Sequence, residues 1–187
     1  MFRVYLLHPS SYEIFAGSDA GAYYVQTLLK FISDASNPKA VIMLTLRALS
    51  NMFKNQSSAF VALQKREQIL DAVGQHLSHA DKNVRQAAVT LILNYSIVFL
   101  QQDDEEGRIQ ALSCLANFDQ KDTDVQNVLR LSYALGNLAH NSAEAASMID
   151  SLGVGLPDPS KLTSIAGDKD LDKHKQTVTE IKQMLFS

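Results

Sequence analysis

The chain has 187 residues, 46% of them hydrophobic and 20% charged, the composition of an ordinary globular protein with enough apolar material for one domain and a substantial core. Lys plus Arg number 17 and Asp plus Glu 20, so the net charge of -3 and the pI near 5.9 supply no global attraction to nucleic acid or to an anionic membrane, and any anion site must be local. The one cysteine, Cys114, excludes an intrachain disulfide framework and suits a reducing compartment, where it is expected to be a buried core thiol.

In chain order, the opening "MFRVYLLHPSS" has a short apolar run but neither a basic region of the usual size nor a small-residue cleavage site. No later stretch approaches the roughly 18 consecutive apolar residues of a membrane span, and a cytosolic or nuclear location is expected. Strand signals are nearly absent thereafter, while helix start and stop signals recur, which predicts an all-α protein. In "SDAGAYYVQTLLKFIS", Val25, Leu28, Leu29 and Ile32 share one face, with Ser18 or Asp19 available as N-cap. "NPKAVIMLTLRALSNMFKN" follows, with Pro38 in its first turn and Asn37 ahead of it as the expected cap. Next come a short helix around "AFVAL", helices in "REQILDAVGQHLSHA" and "DKNVRQAAVTLILNYSIVFLQQ", then "EEGRIQALSCLANF" and "TDVQNVLRLSYALGNLAHN". The tail begins with a Pro/Asp linker, "GLPDP", and ends in an amphipathic helix bearing Val178, Ile181, Met184 and Leu185, expected to cap an exposed end. A single domain over 1–187 is expected, with a repeat core at about 20–155 and the linker and capping helix at about 156–187.

The chain repeats itself. "RALSNMFKN" at 47–55 aligns with "YALGNLAHN" at 133–141, and "TLILNYSIV" lies midway, so that Asn51, Asn94 and Asn137 stand at equal intervals of 43 residues. The apolar positions keep register as well: Ala48, Leu91 and Ala134; Leu49, Ile92 and Leu135; Met52, Tyr95 and Leu138. A period of about 40 to 47 residues made only of helices is the signature of armadillo and HEAT arrays, a helical-repeat α-solenoid in which each unit buries its apolar face against the next.

At about 100° per residue the core positions fall on one side of each helix and the asparagines on another. The asparagine stripe holds Leu44, Arg47, Asn51, Lys54 and Asn55 in the first repeat; Ala87, Thr90, Asn94 and Ile97 in the second; and Arg130, Tyr133, Asn137, His140 and Asn141 in the third. Stacked helices lie about 8 to 10 Å apart and an extended peptide advances about 3.4 Å per residue, so successive asparagines match a peptide backbone every two or three residues. Each amide offers a donor and an acceptor, as that backbone does. The competing reading has each amide capping a loop of its own repeat, and the shared register favours the groove. Arg47 and Arg130 are either solvated or, on the same face as the asparagines, able to grip carboxylates with a bidentate fork. Tyr133 and His140 either contact a ligand or pack, whereas Tyr95 belongs to the core face.

"ALGNLA" resembles the third-helix motif of armadillo repeats, in which such an asparagine lines a concave groove and contacts bound peptide. "LTLRALSNMF", "VTLILNYSIVF" and "LRLSYALGNLA" together resemble the PUL domain of PLAA-type adaptors of the ubiquitin system, over roughly 20 to 155. The resemblance implies an armadillo-like domain that binds the acidic C-terminal tail of the hexameric AAA ATPase segregase, the valosin-containing protein, through a basic groove. On the matching motifs Arg47 and Arg130 take the places of groove arginines. The expected peptide-binding residues are therefore Arg47, Asn51, Lys54, Asn94, Arg130, Tyr133, Asn137 and His140. The propeller and ubiquitin-binding module of PLAA proteins are not in this sequence, and neither are the thioredoxin or deSUMOylating-peptidase modules of other PUL architectures. The chain then reads either as one domain of a larger protein or as a short stand-alone member.

Other motifs carry less. His76 and His79 in "QHLSH" have no carboxylate or cysteine at metal-site spacing and are expected on the surface. "QQDDEEG" is an acidic loop and helix start, where carboxylates favour the dipole. With no phosphate loop, nucleophile elbow or HExxH motif, no catalysis, cofactor or metal is expected. The leading function is a monomeric peptide-binding adaptor; the alternatives are a structural scaffold or oligomerisation module, or the non-catalytic domain of a larger enzyme.

Overall fold

The computed structural model describes residues 8, 10, 19–34, 36–164 and 168–186. Among them the regular structure is all helical: α1 (Asp19–Ser33), α2 (Lys39–Asn51), α3 (Gln56–Gln64), α4 (Arg66–Gly74), α5 (Lys82–Gln102), α6 (Glu105–Leu115), α7 (Val125–Ala139), α8 (Ala143–Ser151) and α9 (Leu171–Phe186), with short 3-10 turns at Met52–Lys54 and Pro159–Lys161. The fold class is all-α, of the armadillo-like helical-repeat kind, and Asn51, Asn94 and Asn137 fall on α2, α5 and α7. The chain divides into two compact units, Met1–Leu91 and Ile92–Ser187.

In the first unit α1 packs on α2, α3 and α4 through Val25, Leu29 and Ile32, as its periodicity predicts, with Leu28 half-buried. Ser18 lies outside the described residues. The cap expected at Asn37 falls one residue later: the Pro38 carbonyl accepts from Val41 and Ile42, while the Asn37 amide turns back to the Phe31 carbonyl at 3.0 Å. Asn55 caps α3 by accepting from the Ser58 N–H at 2.9 Å, an interaction worth about 1 kcal/mol. Lys39 Nζ meets Asp81 at 2.7 Å, and this hydrogen bond draws the Asp81 carboxyl down to about 2. His76 is not a surface residue. It is 5% exposed, and its Nε2–H donates to the Ile32 carbonyl at 2.7 Å, because the turn after α4 carries the ring onto the open end of α1.

α5 is apolar and long enough, by length and composition, to cross a bilayer. Half of that apolar stretch is buried within the fold, the pattern of a core helix. In the second unit Tyr95 and Phe99 are fully buried and stack at 5.4 Å, and Tyr95 thus sits in the core as its register requires. α6, α7 and α8 pack against one another around Leu112, Leu131, Leu135, Leu138 and Ile149, each leucine contributing about 1.5–3 kcal/mol by burial. Cys114 is buried in α6, as expected. Asp104, Asp124 and Ser142 cap α6, α7 and α8. α8 is an element the sequence reading passed over, although Ser142 and Glu144 mark its start. α9 lies along α7 with Val178 fully buried, and the preceding linker is tied down where the Thr163 N–H donates to the Thr123 carbonyl at 2.7 Å and the Val125 N–H to the Thr163 carbonyl at 2.9 Å.

Candidate functional site

The stripe is built differently in its three repeats because the helices stop at different points. α2 ends at Asn51, and the 3-10 turn that follows places Lys54 off the helical register, on an exposed corner. Asn55 is one step further out and spends its amide oxygen on the α3 cap, so at that position the loop-capping alternative holds. Arg47 is half-buried on α2 and forms no hydrogen bond or ion pair with another described residue; Asn51 is half-buried. These belong to the first unit.

In the second unit α5 runs on past Asn94, which is half-buried, to Ile97, which is 40% exposed. On α7 the sequence Gln126, Arg130, Tyr133, Asn137 follows one face at helical spacing. Arg130 is half-buried, and its Nη1 donates to the Gln126 carbonyl at 2.6 Å and to Gln126 Oε1 at 3.0 Å, which fixes one edge of the guanidinium against its own helix. Burial pushes this guanidinium down from its ordinary value and Asp124 opposes the shift; it remains a cation at neutral pH. Tyr133 is 46% exposed. Asn137 is half-buried and donates to the Ser96 hydroxyl on α5 at 3.1 Å, while Ser96 itself donates to the Leu93 carbonyl at 2.8 Å. One N–H of the amide is therefore committed inside the unit, and the amide oxygen accepts nothing from the described residues. His140 is exposed but lies one residue beyond α7 as its C-cap, in extended backbone.

The structure thus gathers Arg130, Tyr133 and Asn137 on one continuous helical face, with Lys54 and His140 at helix ends. Three residues that position this face escaped the sequence reading. Ser96 and Gln126 are its internal partners. Arg108, 1% exposed on α6, holds the far end of α7 by donating from Nη1 to the Leu138 carbonyl at 3.0 Å and the His140 carbonyl at 2.6 Å. Glu105, whose other oxygen accepts from the Ser142 hydroxyl, lies 3.7 Å from the Arg108 Nε, and Asp103 lies 3.4 Å from Nη2. The "EEGR" of the sequence carries that signal only as charge. No group of three or more His, Cys, Asp or Glu that would hold a metal occurs among the described residues.

A helical-repeat fold that presents a cation, an aromatic ring and an amide in line on one helix has the kind of face that helical-repeat interaction domains offer. The chain matches the PUL domain family over residues 1–156 and belongs to it. It is similar to the phospholipase A-2-activating protein of Xenopus laevis, 29% identical over 154 residues that cover 82% of this chain and 19% of that protein. The chain spans about a fifth of that relative's length. Membership gives the coarse role, a protein-interaction domain.

Proposed function

We propose that this domain is a peptide-binding adaptor that captures the acidic C-terminal tail of the hexameric AAA ATPase segregase, the valosin-containing protein, and links it to ubiquitin-dependent processes in the cytosol or nucleus. The observation that carries the proposal is the face of α7, where Arg130, Tyr133 and Asn137 stand in line on a stripe without a carboxylate. Arg130, pre-set by Gln126, grips a carboxylate of the tail at little entropic cost, and the Asn137 amide oxygen accepts a main-chain N–H. Arg47, Asn51, Lys54 and Asn94 extend the same chemistry to the earlier repeats, and His140 to the end of α7. The role is non-enzymatic and requires a single copy of the chain.

Titration of a peptide bearing that tail, followed by fluorescence anisotropy, tests this. Arg130→Glu and Arg47→Glu should each weaken binding by at least about tenfold, since each reverses a charge facing the ligand. Unchanged affinity in both variants sinks the groove. The bond from Asn137 to Ser96 supports a second reading, in which the stripe stitches α7 to α5 as part of a scaffold. Under that reading Asn137→Ala lowers the unfolding midpoint and leaves the peptide affinity untouched.

A further inference from the structure

We propose that α9 forms a wall beside the α7 stripe and that Met184 is a specificity-determining contact there, seating an apolar side chain of the acidic peptide that Arg130 holds. The inference rests on the peptide-binding reading of that face and adds to it a helix beyond the family-matched residues 1–156.

Gly136 on α7 has no side chain, and the position its Cβ would take lies 3.9 Å from Met184 Cε and 4.0 Å from Ile181 Cγ2. Gly136 is three residues after Tyr133, a spacing that makes neighbours on a helix surface, and one before Asn137. The Met184 methyl therefore lies beside the stripe rather than on the far side of α7. α9 is held there independently of Met184: Val178 is fully buried, Ile181 is half-buried, and Lys182 Nζ donates to the Leu156 carbonyl at 2.9 Å. Met184 itself is 65% exposed, and Tyr133 on the adjoining turn of α7 is 46% exposed. Two apolar side chains with much of their surface in water thus lie on the two sides of Gly136, Met184 against it from α9 and Tyr133 one turn before it on α7.

Charge selects the occupant. Gln126, Arg130, Tyr133, Asn137 and His140 include no carboxylate, and nearby Asp124 is turned to the Gln126 and Asn127 N–H groups as the cap of α7. An acidic peptide satisfies Arg130, and an apolar residue next to its acids buries Tyr133 and Met184. The flexible thioether adapts to the shape of that residue.

The test uses the whole 187-residue chain and two short fluorescein-labelled oligo-aspartate peptides, one carrying a leucine and the other an alanine at the same place. The native chain should prefer the leucine peptide. Met184→Ala should weaken the leucine peptide roughly three- to tenfold and shift the alanine peptide by less than about twofold, the coupling expected of two groups in contact. Equal shifts for both peptides, no shift for either, or no preference in the native chain overturns the wall while leaving the groove intact. If the native chain binds neither peptide, the groove reading falls and takes this inference with it. Circular dichroism of Met184→Ala, a change at an exposed position, verifies that its fold is native.

Discussion

Each unit closes the C-terminal end of a helix with a side chain drawn from far along the sequence, and the two closures use different chemistry. In the first, His76 donates to the Ile32 carbonyl in the last turn of α1; in the second, Arg108 donates to the Leu138 and His140 carbonyls at the end of α7. Both satisfy carbonyls that a helix cannot bond internally. The imidazole does so while neutral: its Nδ1 is buried with no partner, and burial pushes its pKa below the ordinary value, with nearby His79 adding to the shift. The guanidinium does so as a cation, with Asp103 and Glu105 as counter-charges, and so gains from the negative end of the α7 dipole. The imidazole closure is the one sensitive to protons near neutral pH.

The largest effect should come from removing the permanent charge. Arg108→Ala leaves the Leu138 and His140 carbonyls without their donor and empties a buried side-chain site, and should cost about 2–4 kcal/mol in urea unfolding. Arg130→Ala, whose partner Gln126 lies on its own helix, should cost less than about 1 kcal/mol by the same measurement. Similar losses from the two arginines would mean that Arg108 does not hold α7. Packing at the two places should differ in the same sense. A Cβ at Gly107 would lie 2.6 Å from two Phe99 ring carbons and 2.8 Å from Asp104 Oδ2, so Gly107→Ala should cost about 1–3 kcal/mol. Gly136→Ala meets only ordinary contacts at Met184 and Ile181, and should gain about 0.5–1 kcal/mol from helix propensity. If Gly107→Ala proved neutral, the corner around Arg108 would be looser than its contacts require.

What was legible in the sequence was what acts over a few residues. The polar breaks ahead of α6 and α7, where Asp104 and Asp124 sit as caps, precede apolar runs, and the 43-residue register places Asn51, Asn94 and Asn137 on three helices, whereas the short α8 behind Ser142 carries too little periodicity to stand out. A shared helical face, however, requires that each helix continue. It holds for Asn94 and Ile97 because α5 runs to Gln102, and it stops at Lys54 and His140, where α2 and α7 have already ended. Nothing local distinguishes a terminating turn from one more residue of helix there, since Met52 and Leu138 are equally apolar. The bonds from Arg108, His76 and Asn137 were illegible for another reason. Each joins residues 30 or more positions apart, so it depends on how helices pack rather than on any spacing along the chain.

The smallest effect is the proton dependence of the His76 closure. The ring of the unfolded chain takes up a proton near its ordinary value of 6.5, whereas the folded ring does so only at lower pH. Above 6.5 both states are neutral and the closure contributes in full. As pH falls below 6.5 the unfolded state binds the proton first, and stability declines until the folded pKa is passed. Between about pH 7.5 and about pH 5.5 the native chain should therefore lose up to about 1 kcal/mol more than His76→Gln, which cannot titrate. Asp81 does not interfere. Its carboxyl, drawn to about 2, stabilises the fold above its ordinary value of 3.8 and gives that up only as pH falls toward 2. Urea unfolding of both proteins at the two pH values measures the difference, and parallel losses would place the proton elsewhere. A proton-linked loss confined to the His76 comparison would separate the two closures by their chemistry.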